Sequence, residues 1–245
     1  MNVLKKIFDC LLIMKNYLYG FFMKVKTAFY SPSKISRSFW SSRNSKNWDL
    51  SSRYPELQDA QTKALIGFFN KNFKDKKIKM LDLGCSDGSS SIFIVKDYLR
   101  YGQGLDISSE FIKTANKEAK NNNINVDFST WDACEEELKI TNSFDVVMAL
   151  GLFTCITEDK VFENIINAIS TQVKKGTYLL IKDTLSDTHD TQKVLKNHLY
   201  AAKYRFIDQY VKDICDKGFK KLNLKSLYRF PSEPYASYFL IFEKL

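Results

Sequence analysis

The sequence predicts an α/β fold in which a mostly parallel sheet is covered by helices on both faces. Three observations carry that expectation. Apolar runs of strand length recur along the chain and alternate with stretches of helical period. Two of the early runs end on a carboxylate and then break into a turn, at Asp82 before Gly84 and at Asp106 before Ser108. The 245 residues suffice for one substantial core with a short extension.

The extension comes first. Leu4, Ile7, Leu11, Met14, Leu18, Phe21, Val25 and Ala28 recur at spacings of three and four. That period predicts an amphipathic helix over residues 3–29. Asp9 and Lys15 interrupt the apolar run too early for a bilayer span, and no small-residue cleavage site follows. Lys5, Lys6, Lys15, Lys24 and Lys26 suit an anionic membrane surface, as at the inner face of a membrane, while the same apolar positions also fit a heptad seam. The pattern therefore leaves open a peripheral membrane contact, a membrane-bound partner or a homodimer. Ser31-Pro32-Ser33 reads as the helix stop and the polar run to Asn47 as a linker, which divides the chain into residues 1–45 and 46–245.

Charge follows the same division. Residues 1–45 hold eight Lys or Arg against one acid, whereas the rest holds 29 basic and 27 acidic residues. A nearly neutral main domain lacks the broad basic field of a nucleic-acid binder, so no nucleic-acid partner is expected. Five scattered cysteines without a C-x-x-C pair suit a reducing cytoplasm, and two histidines nine residues apart do not make a histidine-based metal site.

In the main domain, Pro55 to Phe69 reads as a helix preceded by Trp48, Arg53 and Tyr54. Strands are expected at Ile78 to Leu83, Tyr101 to Ser108, Val126 to Ser129, Ser143 to Gly151, Gly176 to Asp183, Leu222 to Leu224 and Tyr238 to Phe242. Helical stretches fall between them, one opening on Ser89 and Ser90, one from Ile92 to Leu99, one from near Glu158 and one around Tyr200 to Tyr210.

The segment Asp82-Leu83-Gly84-Cys85-Ser86-Asp87-Gly88 carries the most chemistry. Glycines at a strand-to-helix turn let a ligand approach the backbone closely. The spacing is not that of a dinucleotide fingerprint, and a carboxylate two residues before the first glycine suits a cationic amine rather than phosphates. Asp106 follows 24 residues later, near the separation at which a β-α-β unit returns an acid to a ribose diol.

With these spacings the sequence resembles the class I S-adenosylmethionine-dependent methyltransferases, whose first motif reads [D/E]-x-G-x-G-x-G. Ser86 stands where the middle glycine would be. The resemblance covers roughly residues 46–245 and implies a Rossmann-like, seven-stranded sheet. It places the cofactor S-adenosylmethionine against Asp82, Gly84, Cys85, Ser86 and Gly88. It adds Asp106 and Ile107 at the ribose, Asp132 and Ala133 at the adenine, and Leu150 after the fourth strand. Asp106 could instead cap a helix and Asp132 occupy a turn, but all three acids recur at strand ends.

The acceptor side is less marked. Asp183 and His189 are the candidate proton acceptors, and Arg53 and Tyr54 the candidate lid residues. After the fourth strand the chain reads Ala149-Leu150-Gly151-Leu152-Phe153, without the N/D-P-P-Y/F motif of amino-methylating DNA, glutamine and some RNA enzymes. The segment Lys203 to Phe219 is similar to small-molecule and sugar methyltransferases. The expected activity is methyl transfer to an oxygen or nitrogen of a small molecule or sugar-containing metabolite, with cell-surface glycan biosynthesis as one setting. The alternatives are an RNA or protein methyltransferase and a cofactor-binding scaffold without turnover.

Overall fold

A computed structural model describes residues 30–44, 54–189, 193–196 and 200–245. The proposed amphipathic helix of residues 3–29 and the lid candidate Arg53 lie outside the described residues.

Strands β1 (Ile78–Leu83), β2 (Leu99–Asp106), β3 (Val126–Thr130), β4 (Val146–Leu150) and β5 (Tyr178–Ser186) run parallel. β8 (Phe219–Arg229) and β9 (Tyr235–Lys244) complete a seven-stranded sheet in the order β3-β2-β1-β4-β5-β9-β8, with β9 antiparallel to both neighbours. The central strands are buried almost without interruption because helices cover both faces. β8 is the exposed edge, and Lys220, Lys221, Lys225 and two register shifts keep it from templating another chain.

One face of the sheet packs on α2 (Pro55–Phe73) and α3 (Ser109–Asn121) through Leu65, Phe69, Ile112 and Ala115. The other packs on α5 (Asp159–Gln172) and α6 (Ile207–Cys215) through Phe162, Ile166, Ile169 and Tyr210. Close approach is required where β2 passes under β3. A Cβ on Gly104 would lie 2.4 Å from a ring carbon of Phe128 and 2.9 Å from the Cys85 sulfur. Gly104→Ala is therefore expected to cost about 1–3 kcal/mol by overpacking, read as a lower urea midpoint at unchanged m-value.

Three expectations from the sequence are corrected. Residues 32–41 are not a linker but a helix, α1 (Pro32–Ser41), packed on the domain. The Ser-Pro pair starts this helix, because Ser31 accepts a hydrogen bond from the Lys34 N–H and Pro32 occupies the first turn. Ile35 and Phe39, four apart, bury its inner stripe.

No α-helix opens on Ser89 and Ser90. Residues 84–91 stay in turns and lead to a 3-10 helix, Ile92–Tyr98, interrupted at Val95. The Asp87 carboxylate takes the Ser89 N–H and hydroxyl, while the Ser91 hydroxyl donates to Asp82 instead of capping a helix. The third correction concerns the helix placed around Tyr200 to Tyr210. Residues 201–204 form β7 (Ala201–Tyr204), paired with β6 (Lys193–Lys196) in a separate hairpin, and α6 begins only at Ile207. Strand pairing with a partner elsewhere overrode the local helical pattern.

Candidate active site

The strand order reverses at β1, which pairs with β2 on one side and β4 on the other. In open α/β sheets ligands bind outside the carboxyl ends of the strands at such a switch point. A cavity of about 830 Å³ opens there, and α1, the start of α2 and β7 form its walls.

Its floor is the turn after β1. Gly84 and Gly88 have φ of +72° and +81°, and Ser86, in the place of the middle glycine, adopts +54°. That left-handed conformation is costly for a residue with a Cβ. It is held by the Ser86 N–H, which donates to Asp106 Oδ2 at 2.9 Å, while Gly84 and Cys85 both donate to the Leu105 carbonyl. The turn is thereby tied to the end of β2.

Asp82 is 1% exposed. One of its oxygens accepts from Ser91, and Oδ1 has no hydrogen-bond partner. Burial, with Asp106 adding repulsion and the Ser91 hydroxyl opposing, pushes its pKa up to about 7. Asp106 accepts from Ser86 and Ser108 backbone N–H groups, one on each oxygen, at 2.9 Å. Its pKa is also raised by burial, which those two bonds partly offset.

Of the residues expected at the cofactor, Asp82, Gly84, Cys85, Ser86, Asp106, Ile107, Asp132, Ala133 and Leu150 line the cavity. Gly88 does not. Its hydrogen stands against the rings of Phe93 and Phe128, so it shapes the turn from behind. Tyr54 lines the cavity.

The two candidate proton acceptors are displaced by the structure. Asp183 lies beneath the cavity wall, where Oδ1 accepts from the Thr154 N–H (3.0 Å) and hydroxyl (2.8 Å) and Oδ2 from the Tyr210 hydroxyl (2.6 Å). It anchors α4 (Leu152–Cys155) and α6 to β5. His189 is exposed and tilted on the Phe206 ring at 4.1 Å, away from the cavity lining.

Two charged residues were not anticipated. Arg37 of α1 donates through Nε (3.0 Å) and a terminal nitrogen (2.6 Å) to Asp132 Oδ2, and through its other terminal nitrogen to Glu135. Asp132 Oδ1 accepts from the Cys134 N–H, which leaves it spare acceptor capacity. Lys182 reaches the cavity from the middle of β5. A lone lysine closing the apolar run Leu179-Leu180-Ile181 was the sequence signal for it. No signal marked Arg37, which belonged to a stretch read as linker.

A model of a family described as a methyltransferase domain matches residues 74–229, which span β1 to β8. The chain belongs to that family. This methyltransferase is 28% identical over 128 residues to a Methanocaldococcus jannaschii protein provisionally named a protein N5-glutamine methyltransferase. The match covers 52% of this chain and 62% of that protein, less than two thirds of its length. Among solved structures, magnesium protoporphyrin IX methyltransferase of Synechocystis PCC 6803, with bound S-adenosylmethionine, is similar at a TM-score of 0.64 and 15% identity. There 89% of this chain and 99% of the other are covered. Geranyl diphosphate C-methyltransferase of Streptomyces coelicolor A3(2) is similar at 0.61 and 9% identity, over 79% and 82% of the chains. Both likenesses show the shared fold of S-adenosylmethionine-dependent methyltransferases.

The methyltransferase uses S-adenosylmethionine, and its residues fit that cofactor. An orphaned buried carboxylate oxygen on Asp82 suits an ammonium group, and the positive-φ turn keeps side chains out of the ligand's path. No candidate metal cluster of three or more His, Cys, Asp or Glu occurs among the described residues. No helix among them is long and apolar enough to cross a membrane.

Proposed function

We propose that the cavity binds S-adenosylmethionine across the β1–β2 turn and methylates a small molecule admitted between α1 and the β6–β7 hairpin. Asp106 would take the ribose hydroxyls, Asp132 and Ala133 the adenine edge, and Asp82 the methionine ammonium. The observation that carries the reading is the unpartnered Asp82 Oδ1, buried at the switch point beside a glycine turn.

The cofactor supplies a methyl group already activated by its sulfonium, so the protein's work is alignment and exclusion of water. The Ser86-to-Asp106 bond sets the turn, and the Arg37–Asp132 pair draws α1 over the mouth. The acceptor reading extends to sugar-containing metabolites and to cell-surface glycan biosynthesis. It is supported by the nearly neutral charge of residues 46–245 and by the lack of a proline motif in Ala149 to Phe153. The same departure separates this chain from glutamine-directed enzymes. The proposal that residues 3–29 meet a membrane, a partner or a second subunit stands on their period and charge.

Asp106→Ala removes the acceptor for two charge-assisted hydrogen bonds, worth about 1.5–3 kcal/mol each. Calorimetry with S-adenosylmethionine is expected to show affinity weakened at least about 100-fold. Unchanged affinity would sink the assignment.

A further inference from the structure

Among the described residues that follow Gly151 in the chain and line the cavity, one is charged and none is a carboxylate or histidine. Lys182 is 8% exposed and faces the cavity from the middle of β5, at the last pair that β5 makes with β4. It pairs in register with Leu150, and its Nζ lies 3.2 Å from where a Cβ on Gly151 would stand. The ammonium therefore sits over the turn between β4 and α4. Among the described residues no hydrogen bond or ion pair reaches it. The neighbouring Asp183 has both oxygens taken by Thr154 and Tyr210.

A buried ammonium without a hydrogen-bond partner is unfavourable, and burial, only partly opposed by the charge of Asp183, holds the Lys182 pKa below its ordinary value. The carboxylates that line the cavity, Asp82, Asp87, Asp106 and Asp132, all follow β1, β2 or β3, on the cofactor side. Among the described residues the titratable groups near Lys182 are Asp183, whose oxygens are both taken, and Cys155, Tyr200 and Tyr204. Burial pushes the Cys155 thiol up to about 12 and raises both phenols. None of them removes a proton near neutral pH. The walls are aromatic: Phe39, Trp40 and Tyr200 meet edge to face, and Phe230 packs on Tyr235.

We infer that Lys182 binds the acceptor through an ionised carboxylate carried on a flat apolar body, and presents that carboxylate oxygen for methylation. This rests on the reading of the cavity as a methyl-transfer site. A carboxylate arrives deprotonated at neutral pH, so the missing base is not needed. In the transfer an oxygen lone pair forms the new O–C bond, and the methyl C–S bond breaks with its electrons left on sulfur. The carboxylate and sulfonium charges vanish together and no proton moves. The neutral methyl ester loses its ion pair with Lys182, which favours release. An alcohol or an ammonium acceptor would have to give up a proton, and among the described residues this part of the cavity has no group to take it.

The test uses full-length protein saturated with S-adenosylhomocysteine and titrated calorimetrically with 2-naphthoate and with its neutral isostere 2-naphthamide. Wild type is expected to prefer the carboxylate by about tenfold or more, and Lys182→Met to lose that preference. Affinity for S-adenosylhomocysteine alone should stay within about twofold of wild type. Lys182→Gln serves as a second neutral variant if the methionine variant does not fold. Failure of wild type to bind S-adenosylhomocysteine overturns the methyl-transfer reading and the inference with it. If it does bind, three results overturn the inference alone: no preference, no binding of either probe, or a preference that survives in the neutral variant. A neutral variant that loses affinity for S-adenosylhomocysteine about tenfold would assign the ammonium to the cofactor's carboxylate and overturn it too.

Discussion

Asp82→Asn is expected to stabilise the ligand-free protein at pH 8 while weakening S-adenosylhomocysteine about 100-fold. The two effects have one cause. Asp82 is buried, keeps one oxygen unpartnered and has its pKa raised to about 7. A carboxyl whose folded pKa lies above its unfolded value binds its proton more tightly in the folded state. Stability from this group is full below the unfolded pKa near 4, declines as pH rises through the window from about 4 to about 7, and is lost above it. Over about three units the loss is on the order of 4 kcal/mol, and asparagine, which never ionises, should recover about 1–3 kcal/mol of it at pH 8. The cost falls on binding. Asparagine cannot pair with the ligand's ammonium, and losing a buried charged pair is worth about 2–5 kcal/mol.

The same residue sets a pH dependence. Below pH 7 the Asp82 carboxyl must release its proton before it can accept the ammonium. Wild-type affinity should therefore fall about tenfold from pH 8 to pH 6, and the asparagine variant should be flat across that window. Thermal melting of the free protein and calorimetry at the two pH values check both halves. A destabilised asparagine variant, or equal pH slopes for the two proteins, would remove Asp82 from the ammonium site.

Arg205→Met is expected to be the most damaging change outside the cavity, costing about 2–5 kcal/mol of stability. Arg205 is 4% exposed, and its two terminal nitrogens donate to the Phe153 carbonyl at 2.8 Å and the Ile156 carbonyl at 2.9 Å. Its Nε meets Asp159 Oδ1 at 3.1 Å, and the guanidinium lies 4.6 Å from the centre of the Phe162 ring. Most of the penalty comes from the Ile156 carbonyl, which loses its donor, while the Phe153 carbonyl keeps the Ile156 N–H at 3.3 Å. Asp159 is half exposed and keeps Lys203 at 2.6 Å, so its own loss is small. A urea titration should show a lower midpoint. Affinity for S-adenosylhomocysteine at low temperature should change only a few-fold, because Arg205 does not line the large cavity. A stability loss under about 1 kcal/mol would show that water replaces the guanidinium at those carbonyls.

The alternation of apolar strand runs with helical periods was enough to determine the α/β sheet, because those periods depend on local sequence alone. The acids at the ends of β1 and β2 were legible for a related reason. A strand ending on a carboxylate before a turn is a local pattern, and parallel pairing brings such ends to one edge. Three features depended on pairing between distant segments and were not legible. The α1 helix is held by Arg37 on Asp132 and by the Ser36 hydroxyl on the Cys155 carbonyl, contacts spanning 95 and 119 residues. The β6–β7 hairpin replaced a stretch read as helix. The side on which Asp183 and Lys182 fall was also undecided by sequence. Adjacent residues of a strand point to opposite faces, so one was destined for the interior and the other for the cavity. Only the packing of α4 and α6 under β5 decided that the acid would be consumed by Thr154 and Tyr210 and that the lysine would face the acceptor.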